Sequence, residues 1–203
     1  MMTIDPLRRF LLTALLWLPA AFFLWFWLAG VLVWPIAALS RIIILHSWPQ
    51  LFSDLEQHGF LIDVTTRVLV HQASTGGQMK LGELVLSINP MAYGYSLPLF
   101  AGLVMATPAV SAIKPGLQLL IGSVLIVSAQ VLGVAAEALK LLAFDAGTEG
   151  ATVIDRAGLS ADAIALAYQF GYLILPAVVP AALWILLNRR FIEMLTNRSR
   201  VEP

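Results

Sequence analysis

Residues 8–45 read RRFLLTALLWLPAAFFLWFWLAGVLVWPIAALSRIIIL. After the two arginines there is no charge before Arg41, and the stretch exceeds the roughly 20 apolar residues that a bilayer crossing needs. Its four tryptophans and two prolines indicate one crossing that emerges into an aromatic-rich interfacial segment. A secretory signal peptide is the competing interpretation, but the stretch is too long and Ala37-Ala38-Leu39 lacks a small-x-small cleavage site. The sequence therefore predicts a membrane-anchored protein.

The composition agrees with a membrane protein. Hydrophobic residues make up 60% of the chain and charged residues 12%, against roughly 25% charged in a soluble domain. The chain has no cysteine, which excludes disulfides, thiolate nucleophiles and Cys-ligated metals. No basic stretch interleaved with aromatic residues suggests nucleic acid, and no motif indicates a cofactor.

Three further apolar segments are close to the length of a crossing: Pro90–Ile113, Gly116–Ala136 and Asp162–Leu187. The turn between the first two of these, residues 113–116, contains a Pro-Gly pair and predicts a tight helical hairpin. The expected fold is an all-α membrane protein with four transmembrane helices. The predicted third part of the chain, residues 90–203, is a three-helix unit with an external loop at 145–160 and a cytoplasmic tail.

The basic residues orient these spans. With the N-terminus in the cytoplasm, seven of the twelve basic residues lie inside and close to span ends, as the positive-inside rule requires. They are Arg8, Arg9, Lys114, Arg189, Arg190, Arg198 and Arg200. We therefore expect a multi-pass protein of a bacterial inner membrane with both termini in the cytoplasm.

The first 45 residues form the predicted N-terminal part, and residues 46–89 form an extracytoplasmic insertion between the first and second transmembrane helices. Residues 60–70 and 82–88 are rich in β-branched side chains, and a loop with a glycine pair lies between them, which predicts a β-hairpin. A short helix is expected at Gln50–Gln57. Because a lone hairpin is marginally stable, it should pack on the membrane surface, on a partner or on the loop at 145–160.

The insertion and its surroundings contain residue types that bind metals or catalyse hydrolysis, but not in a recognised pattern. His46, His58 and His71 occur with several carboxylates, yet no HExxH spacing or GxSxG elbow is present. We therefore expect neither a metal site nor a catalytic group there.

Polar residues inside the spans carry more information, because they are costly in lipid and usually face protein or water. Ser123, Gln130 and Glu137 recur every seven residues on the third span, which places them near one helical face. Polar and tyrosine side chains on the second and fourth spans fall at a similar depth. These are Asn89, Tyr93, Tyr95, Tyr168, Gln169 and Tyr172.

This polar set has two interpretations. It either forms interhelical hydrogen bonds with interfacial tyrosines, or it lines a groove for a peptide or lipid. We expect it to serve helix packing or partner binding rather than catalysis.

Three stretches are similar to one known family. Residues 16–35, which begin with LWLP and end with Trp34-Pro35, residues 89–98 (NPMAYGYSLP) and residues 167–176 (AYQFGYLILP) resemble the exosortase H-associated membrane protein family. The resemblance implies an accessory inner-membrane protein of a bacterial exosortase system, which processes secreted proteins that carry a C-terminal sorting signal. The implied partners are membrane lipid and an exosortase-like protease or transpeptidase.

The last three spans also resemble the exosortase core. That core resembles sortases in using a Cys nucleophile with Arg and His partners, whereas this chain has no cysteine and no histidine in a predicted span. The sequence therefore predicts a non-enzymatic accessory or scaffold that acts at the outer face of the membrane. A membrane-embedded enzyme acting on a lipid or peptide is the alternative, and a transporter subunit is disfavoured because no inverted repeat is evident.

Overall fold

The computed structural model describes residues 6–73, 79–108 and 113–198. Eight α-helices are present in these ranges. They are α1 (Pro6–Trp27), α2 (Ala29–Ser47), α3 (Ser96–Ala106), α4 (Ile113–Lys140), α5 (Gly147–Arg156), α6 (Ala161–Gln169), α7 (Leu175–Leu187) and α8 (Arg189–Arg198). Two π-helical turns extend or join them, π1 (Leu141–Asp145) after α4 and π2 (Phe170–Ile174) between α6 and α7.

Among the described residues, four helical segments are long and apolar enough to cross a membrane: Pro6–Trp27, Ala29–Ser47, Ile113–Asp145 and Ala161–Leu187. The predicted all-α membrane fold with four candidate spans is therefore confirmed, as is the position of the last span. The chain is a multi-pass membrane protein.

The segment expected at the membrane interface is a long helix. Residues 29–47 form the second long helix, and only Leu28 separates it from α1, with its N–H still donating to the Leu24 carbonyl at 2.9 Å. Pro35 lies inside α2 without ending it, and His46 lies in the last turn of this candidate span rather than outside the spans. The strands consequently lie between the second and third helices rather than between the first and second.

The predicted span at residues 90–113 is also corrected. Pro90–Ala92 is a single 3-10 turn, and α3 has only 11 residues, too few for a full crossing. Thr107 takes an extended conformation with ψ of 126°, because the residue before a proline avoids the α region, and α3 ends there. The hairpin turn predicted at residues 113–116 is instead the first turn of α4.

The described strands form a three-stranded antiparallel sheet in the order β1-β2-β3. The strands are β1 (Phe52–His58), β2 (Leu61–Ala73) and β3 (Met79–Ile88). The predicted hairpin is β2 with β3, and its loop at residues 74–78 lies outside the described residues. The helix expected at Gln50–Gln57 is instead strand β1, which pairs with β2 through the turn at Gly59, whose φ of +66° suits glycine.

The chain divides into two compact units. The first unit comprises Met1–Leu28, Gly94–Val127 and Pro176–Pro203, and the second comprises Ala29–Tyr93 and Ser128–Leu175.

In the first unit, α1 packs against α3 around the aromatic side chains of Phe10 and Phe191. Phe10 also stacks on Trp184, with 5.4 Å between the ring centroids. The indole nitrogen of Trp184 donates to the Thr107 hydroxyl at 2.9 Å, which closes the core at one end.

In the second unit, the sheet packs on α2. The Arg41 guanidinium pairs with Asp54 at 2.9 Å and donates to the carbonyl of Leu55 at 3.1 Å. The Gln57 amide donates to the Gly30 carbonyl at 2.8 Å. Helix α5, from the segment expected as the external loop 145–160, contacts β2.

Strand β1 is one edge of the sheet. At its centre the Leu55 N–H donates to the Asp54 carboxylate at 2.8 Å, and the Leu55 carbonyl accepts from Arg41. Both backbone groups of Leu55 are therefore bonded to side chains.

Candidate functional site

The site is organised around Tyr93 in the second unit. Asn89 caps the 3-10 turn before it, because its side-chain oxygen accepts from the Met91 N–H at 3.1 Å, and Pro90 occupies the first position of that turn. This short, fixed turn leaves Tyr93 1% exposed. Asn89 thus stabilises the turn that precedes Tyr93.

One face of α4 supplies the opposite wall. Gln130, Gly133 and Glu137 are spaced by three and four residues, so they lie on the same side of the helix. Gln130 is 4% exposed, and Glu137 is half-buried. A Cβ atom at Gly133 would lie 3.2 Å from the Tyr93 ring, so glycine makes room for that ring.

The three tyrosine rings contact one another in series. The Tyr93 ring meets the Tyr172 ring edge-on, with centroids 5.3 Å apart, and Tyr172 lies 5.1 Å from Tyr168. The Lys140 ammonium lies 5.7 Å from the centroid of Tyr168 and forms an ion pair with Asp145 at 2.7 Å. Such cation–π and aromatic contacts each contribute about 0.5–1.5 kcal/mol.

We define the aromatic–carboxylate cluster as Tyr93, Gln130, Glu137, Tyr168 and Tyr172. Two π-helical turns flank it: π1 begins directly after Lys140, and π2 includes Tyr172. Such turns often mark functional positions in helices.

The Tyr93 hydroxyl is the most unusual polar group in the cluster. Neither it nor the Oε2 atom of Glu137 has a hydrogen-bond partner of standard geometry within the described parts of the chain, although both atoms are buried. Burial raises the pKa of Tyr93, which lies outside the four candidate spans, well above its ordinary value, and the nearby Glu137 charge raises it further. The phenol is therefore a neutral hydrogen-bond donor.

The remaining predicted site residues lie elsewhere. Tyr95 and Ser123 belong to the first unit, where both are half-buried. Gln169 follows Tyr168 but is exposed. Five of the nine predicted residues thus gather in the cluster, and Asn89 supports it from the adjoining turn.

Over the described residues, no group of three His, Cys, Asp or Glu side chains could hold a metal ion. The His58 ring faces Asp63 at 3.1 Å and Glu56 at 4.0 Å on the exposed surface of the sheet. The polar groups of the cluster are three phenols, an amide and one carboxylate, which suit hydrogen bonding and aromatic packing.

A second polar network was not anticipated from the sequence. In the first unit, the Gln118 amide donates to the Asn188 side chain and to the Leu187 carbonyl, both at 3.0 Å. The Asn188 amide donates in turn to the Trp184 carbonyl at 3.0 Å. Gln118 is an amide within an apolar helix and could have been recognised, but it lies outside the seven-residue repeat that drew attention to Gln130.

These features define a multi-pass helical membrane protein with a helix-anchored β-sheet and a partly buried aromatic–carboxylate cluster. The family model described as exosortase H-associated membrane protein matches residues 4–191, and the chain belongs to this family. No curated protein and no solved structure matches the chain. The resemblance inferred from the three sequence motifs is thereby confirmed.

Proposed function

We propose that this protein is a non-enzymatic accessory or scaffold of an exosortase system, acting at the outer face of a bacterial inner membrane. The observation that carries the proposal is the family match over residues 4–191, whose description links the family to exosortase H. The proposed partner is an exosortase-like protease or transpeptidase, within membrane lipid.

The orientation of the chain supports an outer-face role. Seven basic residues near span ends favour cytoplasmic termini. Tyr93 follows strand β3 by five residues and its ring contacts Tyr172, so the cluster and the sheet belong on the same side of the membrane, which in this proposal is the outer one.

The manner in which the sheet is attached also supports a scaffold. Arg41 and Gln57 bond the first strand to α2, so the sheet is fixed to a long helix. A partner that binds the sheet would be held at a defined height above the membrane.

The alternative is a membrane-embedded enzyme acting on a lipid or peptide at the outer leaflet. Its support is the buried phenol and carboxylate of Tyr93 and Glu137, which lack hydrogen-bond partners of standard geometry among the described residues. Such a pair has the chemical capacity for general acid–base catalysis if a substrate reaches it.

The two proposals differ in what a substitution removes. An intramembrane hydrogen bond contributes about 0.6–2 kcal/mol, so Gln130→Leu should weaken partner binding by a factor of about 3–30. Loss of a general acid or base typically lowers a rate by about a hundredfold or more.

The experiment expresses tagged wild type, Gln130→Leu, Glu137→Gln and the exposed control Gln169→Leu in the native host. Co-purification of the exosortase and accumulation of processed substrate are measured together, with protein level as a reference. The scaffold proposal expects binding and processing to fall in parallel in the first two variants and to stay unchanged in the control. Loss of processing at wild-type binding and protein level would reject it in favour of the enzyme.

A further inference from the structure

The first unit contains a cleft that none of the preceding roles uses. It has a volume of about 260 Å³ and lies between α1, α3 and the start of α4. Its lining includes Arg9, Thr13, Met105, Thr107, Pro108 and Pro115. None of the lining residues that the structure describes is acidic.

The charge of the cleft is carried by Arg9. This side chain is exposed, and none of the ion pairs found in the described part of the chain includes it. In the described sequence of the first unit, Glu193 is the only acidic residue, against six basic ones. These are Arg8, Arg9, Lys114, Arg189, Arg190 and Arg198.

The basic residues gather at one end of this unit. Arg9 and Pro115 line the same cleft, so Lys114 is adjacent to it. Arg189 and Arg190 directly follow Asn188, whose side chain is bonded to Gln118 in the first turns of α4. These residues therefore add positive charge at the end of the unit where the cleft lies.

The walls suit an amphiphilic occupant. Thr13 and Thr107 are polar lining residues whose hydroxyls donate to the carbonyls of Arg9 and Leu103, whereas Met105 is apolar and 36% exposed. An ionic headgroup would meet Arg9, and its acyl chain would continue over apolar side chains. Basic pockets between membrane helices are known to suit anionic lipid headgroups.

The geometry points to a binding site for an anionic glycerophospholipid in this cleft, with the phosphate on Arg9. Guanidinium–phosphate contacts are charge-assisted and are stronger than contacts between neutral groups. The site does not depend on the exosortase role, because its ligand is a component of the bilayer.

The experiment uses the purified full-length protein in detergent, with lipid binding measured by native mass spectrometry. Phosphatidylglycerol is titrated against wild type, Arg9→Gln and the matched control Arg8→Gln, which removes the same charge from the neighbouring position outside the cleft. A lost charge-assisted hydrogen bond of about 1.5 kcal/mol corresponds to about a tenfold loss of affinity for Arg9→Gln. The Arg8→Gln variant should lose about threefold or less.

Three results would overturn the site. Equal losses in the two arginine variants would indicate general attraction to a basic surface. Equal binding of phosphatidylethanolamine would remove the dependence on anionic charge, and displacement by soluble glycerol 3-phosphate at similar concentrations would indicate a soluble ligand. If Arg9→Gln does not fold, Met105→Trp is used instead, because it fills the cleft and keeps the charge. The proposal then expects Met105→Trp to lose affinity for phosphatidylglycerol. Wild-type affinity of Met105→Trp would reject the proposal.

Discussion

A Cβ atom on Gly171 would lie 3.2 Å from the Cα of Gly133. The two helical segments therefore approach backbone to backbone at this point, directly beside the Tyr93 ring. Small residues permit such close approach between membrane helices, where packing rather than hydrophobic burial drives association. The glycine pair thus determines the spacing of the walls of the aromatic–carboxylate cluster.

Gly171→Ala should destabilise the protein by about 1–3 kcal/mol, because the added methyl group overpacks this contact. Gly116→Ala is the control: a Cβ there meets nothing within 4 Å, and alanine favours a helix by up to about 1 kcal/mol. Thermal unfolding of both variants in the same detergent measures the difference. Equal stability of the two would mean that the segments are not in contact.

Tyr93→Phe should leave stability unchanged or raise it by about 1 kcal/mol, because the hydroxyl it removes is buried without a partner of standard geometry in the described chain. Thr107→Val removes a hydroxyl that accepts from Trp184 and donates to the Leu103 carbonyl, so it should cost about 1–3 kcal/mol. Both are measured by thermal unfolding. A large loss for Tyr93→Phe would reveal a bonded hydroxyl and contradict the prediction.

The pKa of Tyr93, raised by burial, predicts a late alkaline transition. The folded phenol holds its proton more tightly than the unfolded one, whose pKa is about 10. Its contribution to stability is therefore complete below about pH 10 and is lost as the pH rises through the folded pKa. Tyrosinate absorbance of the four tyrosines, recorded against pH, should lose part of its late signal in Tyr93→Phe. If Tyr93→Phe instead loses tyrosinate absorbance near pH 10, the raised pKa of Tyr93 is refuted.

The absence of cysteine makes topology directly testable. Single cysteines at Phe60, in the turn between β1 and β2, and at Met194, on α8, both replace exposed side chains. In intact cells a membrane-impermeant thiol reagent should label Phe60→Cys alone, and lysis should make Met194→Cys reactive. Labelling of Met194→Cys before lysis would overturn the proposed orientation.

Arg41→Gln should loosen β1 on α2 by about 1 kcal/mol, because it removes both the ion pair with Asp54 and the bond to the Leu55 carbonyl. Hydrogen exchange of β1 amides should speed up about fivefold. Arg156→Gln makes the same change of charge at an exposed position of α5 and should leave these amides unaffected. If the β1 amides exchange at the same rate in both variants, Arg41 does not hold β1 on α2.

Apolar runs predicted the helices of this chain, but tertiary contacts determined where several of them end. Nothing between Phe10 and Leu45 signals that residues 29–47 continue as helix, because tryptophan and proline also suit a membrane interface. The seven residues of β1 include the helix formers Leu, Glu and Gln, and they are a strand because β2 supplies their hydrogen-bond partners.

All five members of the candidate site were predicted from the sequence, but their contacts with one another were not. Gln130 and Glu137 were found from their spacing on α4. Gly133 and Gly171 approach each other although they are 38 residues apart in the sequence. No local sequence pattern predicts this contact. Ser123 continues the same repeat but belongs to the other compact unit, so periodicity alone did not identify the members of the cluster.

Strand β1 is an edge whose central residue offers no free backbone group to another chain. Since Asp54 and Arg41 occupy the N–H and carbonyl of Leu55, an extended peptide that tried to add as a fourth strand would have to break both bonds first. This edge therefore resists both the addition of an extended peptide and edge-to-edge aggregation between copies of the chain.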